Sequence, residues 1–217
     1  MSPRLPRTTL LALTLALGGY WSPWLTHPAA ALRLNGFELS EWVTFLPGTR
    51  DGSLAVGRFS FLVPLACLSL LLSLAAAYNA SPPARLRWLP PLPGARTGWG
   101  LLGLAWLCNA ALFPAYPYIL TAYKEPEFQA QFFAAGLLPL GLLLTLYLPA
   151  ELNALLQSLL AAVGGVYGLW TLLAMRPAAA ELFNGTWATG LGWLAMLAGF
   201  AGLALAGLAR LFSPRLT

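Results

Sequence analysis

The chain has 217 residues, of which 59% are hydrophobic and only 9% charged, against roughly 25% charged in an ordinary soluble domain. Water cannot solvate such a surface, so the composition excludes a soluble globular protein and points to one membrane domain. The net charge of +5 comes from single basic residues that flank apolar runs, which is a topology signal and not a nucleic-acid patch; no nucleic-acid partner is expected.

Charge-free apolar stretches run over about residues 8–26, 59–78, 98–119, 132–149, 153–175 and 187–209. Each has close to the ~20 residues of a spanning helix, whereas barrel strands would be about ten residues long and would alternate. The expected fold is all-α: a single transmembrane domain over 1–217, a polytopic membrane helix bundle of about six transmembrane helices.

In the first stretch, Arg4 and Arg7 precede an apolar run over residues 9–17, a pattern common to signal peptides and first spans. Ala29, Ala30 and Ala31 offer a cleavage site, but bulky residues at 20–24 separate them from the run, and the retained span is carried forward. With the amino terminus inside, Arg4, Arg7, Arg85, Arg87, Arg96, Arg210 and Arg215 fall inside, and Arg33, Arg50, Arg58, Lys124 and Arg176 outside. Most of the outer basic residues sit in the long first loop, which crosses membranes with less regard to charge. Both termini are therefore expected to be cytoplasmic. A bias to alanine, leucine, arginine and proline places the chain in a bacterial plasma (inner) membrane.

The first outer loop contains a short amphipathic helix. Asn35 and Gly36 start it, Pro47 and Gly48 stop it, and Phe37, Leu39, Trp42, Val43 and Leu46 form its apolar face opposite Glu38, Glu41 and Thr44. It is either a lid whose carboxylates bind a cationic or hydroxylated solute, or a solvated face on a helix docked to lipid or to the bundle.

After the second span, Pro82, Pro83, Pro90, Pro91 and Pro93 make a stiff, mostly extended connection. The third span holds Asn109 and ends at FPAYPY, where Tyr116 and Tyr118 stand with Pro114 and Pro117; a ligand pocket would be sought here first, and an aromatic interface girdle explains the same rings. Tyr20, Trp21 and Trp24 are expected in that outer girdle as well. Cys67 and Cys108 lie at similar depths, which makes them neighbours in a hairpin if their helices face each other. In the fifth span Asn153 and Gln157 are spaced i, i+4, either lining a polar site or bridging helices.

No span interior carries Asp, Glu, Lys, Arg or His, which argues against a proton-coupled transporter. Stripes of small residues, Ala12 and Ala16, Gly164 and Gly168, and Ala198, Gly202 and Ala206, mark contact faces toward the bundle or toward other membrane subunits. Neither a catalytic constellation nor a metal or cofactor motif is present, so no cofactor is expected; the ligand-binding candidates are Glu38, Glu41, Trp42, Tyr116, Tyr118 and Asn109.

Six spans, small size, the Ala12 and Ala16 stripe and the long outer loop are similar in topology to the substrate-capture subunits of energy-coupling vitamin transporters. Three functions remain: a membrane-embedded subunit or accessory protein of a larger transport complex, a self-contained binding or permeation protein for a small neutral or apolar solute, and, last, an intramembrane enzyme.

Overall fold

A computed structural model describes residues 5–27, 32–78, 80–81, 92–93, 96–182 and 187–212. Ala29 to Ala31, Arg4, Arg215 and most of the proline-rich connection, including Arg85 and Arg87, lie outside the described residues.

Helix α1 (Arg7–Trp21) stops before the expected end of its stretch, because Pro23 disfavours helix at Ser22 and the chain turns into a strand. Strands β1 (Leu25–His27) and β2 (Leu32–Leu34) pair antiparallel with Leu25 opposite Leu34. Asn35 then caps α2 (Gly36–Trp42): its side-chain oxygen accepts the Phe37 and Glu38 N–H groups, each at 2.9 Å, while the Glu38 carboxylate accepts the Asn35 N–H at 2.9 Å. This reciprocal pair satisfies donors that a helix start otherwise leaves open.

A 3-10 turn (Val43–Phe45) and the one-turn α3 (Pro47–Arg50) complete the loop. Pro47 was expected only to stop a helix, but it begins the next one, since its missing N–H is no loss at the first helical position. Gly52 sits at φ +78°, beyond Asp51, whose carboxyl is held below its ordinary pKa by hydrogen bonds from Ser53.

Helix α4 (Arg58–Ala77) follows, then the short pair β3 (Ala80–Ser81) and β4 (Leu92–Pro93), and α5 (Arg96–Leu112). The third stretch was expected to be helical to residue 119, but Pro114 and Pro117 end the helix early and leave only a 3-10 turn at Tyr118–Leu120. Helix α6 is Pro126–Thr145 and α7 is Ala150–Leu182. The latter continues past Arg176 and Pro177 because Met175 and Ala179, one turn apart, both bury. Strand β5 (Ala188–Thr189) joins the far side of β1, and α8 (Leu191–Phe212) closes the chain.

The described chain is thus mostly helical, and four helices, α4, α6, α7 and α8, are long and apolar enough to cross a membrane. A helix also stands at the first and third apolar stretches, but α1 and α5 have 15 and 17 residues. At ~1.5 Å per residue they reach about 22 and 25 Å, short of a hydrocarbon core of about 30 Å.

Helix α4 is the axis of the bundle and packs on α1, α2, α5, α6 and α7, while α8 lies between α1 and α7. Leu62, Leu65, Leu68 and Leu72 are buried along α4. By contrast, Leu137, Leu140 and Leu144 form an exposed stripe on α6, the pattern of a surface that faces lipid.

Polar side chains inside the bundle tie helices together. Ser69 donates to the Ala105 carbonyl at 2.8 Å, Ser73 to that of Leu142 at 2.9 Å, Asn153 to Leu74 at 3.1 Å and Gln157 to Leu203 at 2.8 Å. Asn153 and Gln157 are therefore helix bridges, and bonds of this kind contribute roughly 1 kcal/mol each in membranes. Cys67 and Cys108 are free and buried.

The small residues are used for close backbone approach. Gly199 lies against Ala16 and the Ala12 carbonyl, Gly192 against the Ser22 carbonyl, Gly207 against Ser158, and Gly164 against the Phe200 ring. Gly168 meets Met196. On α8 the tightest contacts fall on Gly192 and Gly199 toward α1 and its end and on Gly207 toward α7; of the expected stripe, Ala198 is exposed and Gly202 faces Ala12. Helix α8 is wedged between α1 and α7 and presents close-packing positions to both.

Candidate functional site at the sheet end

The three-stranded sheet, α2 and the start of α4 share one end of the bundle. Tyr20 and Trp24, expected in an aromatic girdle, are fully buried there. Tyr20 donates to the Phe61 carbonyl at 3.2 Å, Trp24 Nε1 to the Gly19 carbonyl at 3.0 Å, and the two rings meet edge to face. Both polar handles are satisfied, so burying the rings costs no hydrogen bond. Trp21 stays partly exposed and packs beside Phe37. Together these rings fix the sheet and α2 as a rigid cap.

Helix α2 packs on α4, with Leu39 of α2 and Val43 of the 3-10 turn after it both buried. The acidic side of α2, with Glu38 and Glu41, is exposed. Its two carboxylates have separate tasks, since Glu38 is held in the capping box and Glu41 pairs with Arg58.

Arg58 organises what the sequence left scattered. Its guanidinium bonds Glu41 on α2 and, at 3.2 Å, Glu127 on α6, and its Cζ lies 4.3 Å from the centroid of the Phe128 ring. Phe128 stacks in turn on Tyr118 at 5.1 Å between centroids. Thus Glu41 and Tyr118 belong to one cluster, while Tyr116 is mostly exposed, Trp42 is half-buried, and Asn109 is buried in α5 with its side-chain oxygen unpartnered. Gln131 reaches from α6 to the Leu112 carbonyl, one turn beyond Asn109, at 2.7 Å.

The sequence marks Arg58 only as a charge ahead of an apolar run. The available signal was its place immediately before an apolar run, together with two acids, Glu41 and Glu127, that lacked assigned partners. Its side chain is 7% exposed, against 48% for Glu41 and 53% for Glu127. That imbalance sets the effect of substitution. Arg58→Met frees two carboxylates that water can reach and is expected to cost about 1 kcal/mol. The double change Glu41→Gln with Glu127→Gln strands a buried cation and is expected to cost about 3 kcal/mol. Thermal midpoints in detergent would show the order, and a larger loss for Arg58→Met would contradict the buried placement.

A separate cleft of about 860 Å³ opens beside this cap, between the adjoining ends of α1 and α8 and the β1–β2 strands. Ser22, Thr26, His27 and Arg33 line its polar side, and Leu191 and Ala195 its apolar side. The size lies within the range of small-molecule sites. Among the described residues no three His, Cys, Asp or Glu side chains gather as a metal site.

Comparison of the chain with protein-family models, with curated proteins and with solved structures finds no match.

Proposed function

We propose that this chain is a six-pass plasma-membrane protein with both termini cytoplasmic, acting as a membrane-embedded subunit or accessory protein of a larger transport complex. The observation that carries this reading is the use of the intramembrane polar groups. Ser69, Ser73, Asn153 and Gln157 are committed to bonds between helices, as in a scaffold and unlike the ionisable relay of a self-sufficient pump. The bundle holds up a rigid outer cap, and the role is binding, not catalysis.

Alternating contacts support six passes. Helices α1 and α8 meet antiparallel through Gly19 with Met196 and Ala12 with Gly202, as do α7 and α8 through Gly168 with Met196 and Gly207 with Ser158. At the end opposite the sheet, Arg210 donates to Asn153 at 3.0 Å and lies over the Tyr78 ring. Bilayer thinning around α1 and α5 accommodates their short lengths at modest cost.

A single cysteine in place of Tyr123, at the sheet end, is expected to react with an impermeant maleimide on intact cells, and one in place of Glu151 only after permeabilisation. The buried native thiols keep the background low. The reverse pattern would invert the topology.

The cleft favours a second reading, a self-contained binding protein for a small solute. Purification from the native membrane in mild detergent, with mass spectrometry of what stays bound, separates the two. Reproducible recovery of an ATPase or other membrane subunits supports the accessory role; a lone chain carrying a small molecule sinks it.

A further inference from the structure

The cleft beside α8 has a chemical polarity that identifies its occupant. Arg33 stands exposed on β2, opposite Thr26 in the β1–β2 register. Ser22 and Thr26 spend their hydroxyl protons on the Gly18 and Ala188 carbonyls, and beside them and His27 the Arg33 guanidinium supplies a charged donor set. No Asp or Glu lies among the described lining residues, so the local charge is positive.

The opposite wall is apolar and continuous with the membrane face. Leu191 and Ala195, one turn apart on α8, line the cleft, and Leu194, Ala198 and Leu205 are exposed on the same helix. Helix α8 is one of the four apolar enough to cross a membrane, and its first turn therefore meets the bilayer at the level where acyl chains give way to headgroups.

We propose that this cleft seats an anionic phospholipid of the outer leaflet, its phosphate on Arg33 and one acyl chain along Leu191 and Ala195. A guanidinium forks two parallel N–H groups onto a phosphate, and burial of an alkyl chain against the apolar wall selects a lipid over a free anion. The assignment goes beyond the accessory-subunit reading: its leaflet rests on the proposed topology, and the binding itself holds whether or not the chain has protein partners.

The test is native mass spectrometry of the full chain in mild detergent, with phosphatidylglycerol and phosphatidylcholine added in equal amounts. Wild-type protein is expected to retain phosphatidylglycerol about tenfold over phosphatidylcholine. Arg33→Gln removes the preference, Ala195→Trp fills the cleft and removes the adduct, and Arg50→Gln, on the exposed α3, leaves both intact. Unchanged thermal midpoints show that the two cleft variants are folded, and either one alone decides the result. Equal retention of the two lipids by wild type, a preference that survives Arg33→Gln, or an adduct that survives Ala195→Trp overturns the proposal. So does an inorganic phosphate arm that raises the thermal midpoint as much as phosphatidylglycerol does, because the site would then be one for a soluble anion.

Discussion

Gly199→Leu is expected to separate α1 from α8 and to lower the stability of the whole bundle by about 3 kcal/mol, the upper part of the usual range for overpacking. At Gly199 any Cβ collides with the Ala16 amide nitrogen and the Ala12 carbonyl. Both are backbone atoms, so no rotamer change relieves the clash. In a membrane the helices have no hydrophobic drive to stay together and depend on close packing, and once the backbones part, the contacts along the same seam at Gly192 and Gly19 are lost too. Gly136→Leu on α6 is the matched control, since nothing lies within 4 Å of a Cβ there. Thermal midpoints in one detergent compare the pair. Equal losses would mean that added bulk acts through the unfolded or detergent-bound state and not through this seam.

Trp24→Ala is expected to cost about 3–5 kcal/mol, as for other large buried aromatic side chains, and to loosen the cap more than the bundle. The indole is fully buried, donates to the Gly19 carbonyl at 3.0 Å and packs edge to face on Tyr20. Gly36, at the start of α2, approaches both rings so closely that a Cβ would stand 2.9 Å from Trp24. Loss of the indole therefore removes the surface on which α2 begins. Trp24→Phe keeps a ring and forfeits the hydrogen bond, which is expected to cost about 1 kcal/mol plus the smaller volume. Amide hydrogen exchange is the informative readout: faster exchange in α2 and β1, with α4 and α7 protected as before, is the expected pattern. Uniform acceleration across all helices would show that the cap and bundle unfold as one unit.

The two substitutions act on the two parts of the chain that differ in how well the sequence reveals them. Helix locations were legible because a membrane helix must satisfy its own backbone and present apolar side chains over about 20 residues. The same rule made the sheet hard to see. Leu25 to His27 and Leu32 to Leu34 are three residues each, too short for an alternation count, although Leu32, Arg33 and Leu34 do alternate. β5 has two residues and gains meaning only from β1, which lies far away in the chain.

The candidate residues divide in the same manner. Capping by Asn35 and Glu38 is local, three positions apart, and the start of α2 at Gly36 was accordingly placed where it is found. The partner of Glu41 is 17 positions away and that of Glu127 is 69 away; no spacing rule reaches across such separations. Asn109 and Tyr116 were singled out for their chemistry, but whether a side chain faces a neighbour or the outside depends on helix rotation. That is set by all the contacts of the bundle together.

By itself the sequence determined that this is a helical membrane protein, the places of its apolar helices and the capped start of α2. Each follows from composition or from interactions within one or two helical turns. Only the tertiary structure decided that α1 and α5 are helical over just 15 and 17 residues, that Gly192, Gly199 and Gly207 make close α8 contacts, that Arg58 joins α2, α4 and α6, and that a cleft opens beside Arg33. These are properties of surfaces meeting. A surface contact depends on the rotation and depth of two elements at once, and neither is written in either element alone.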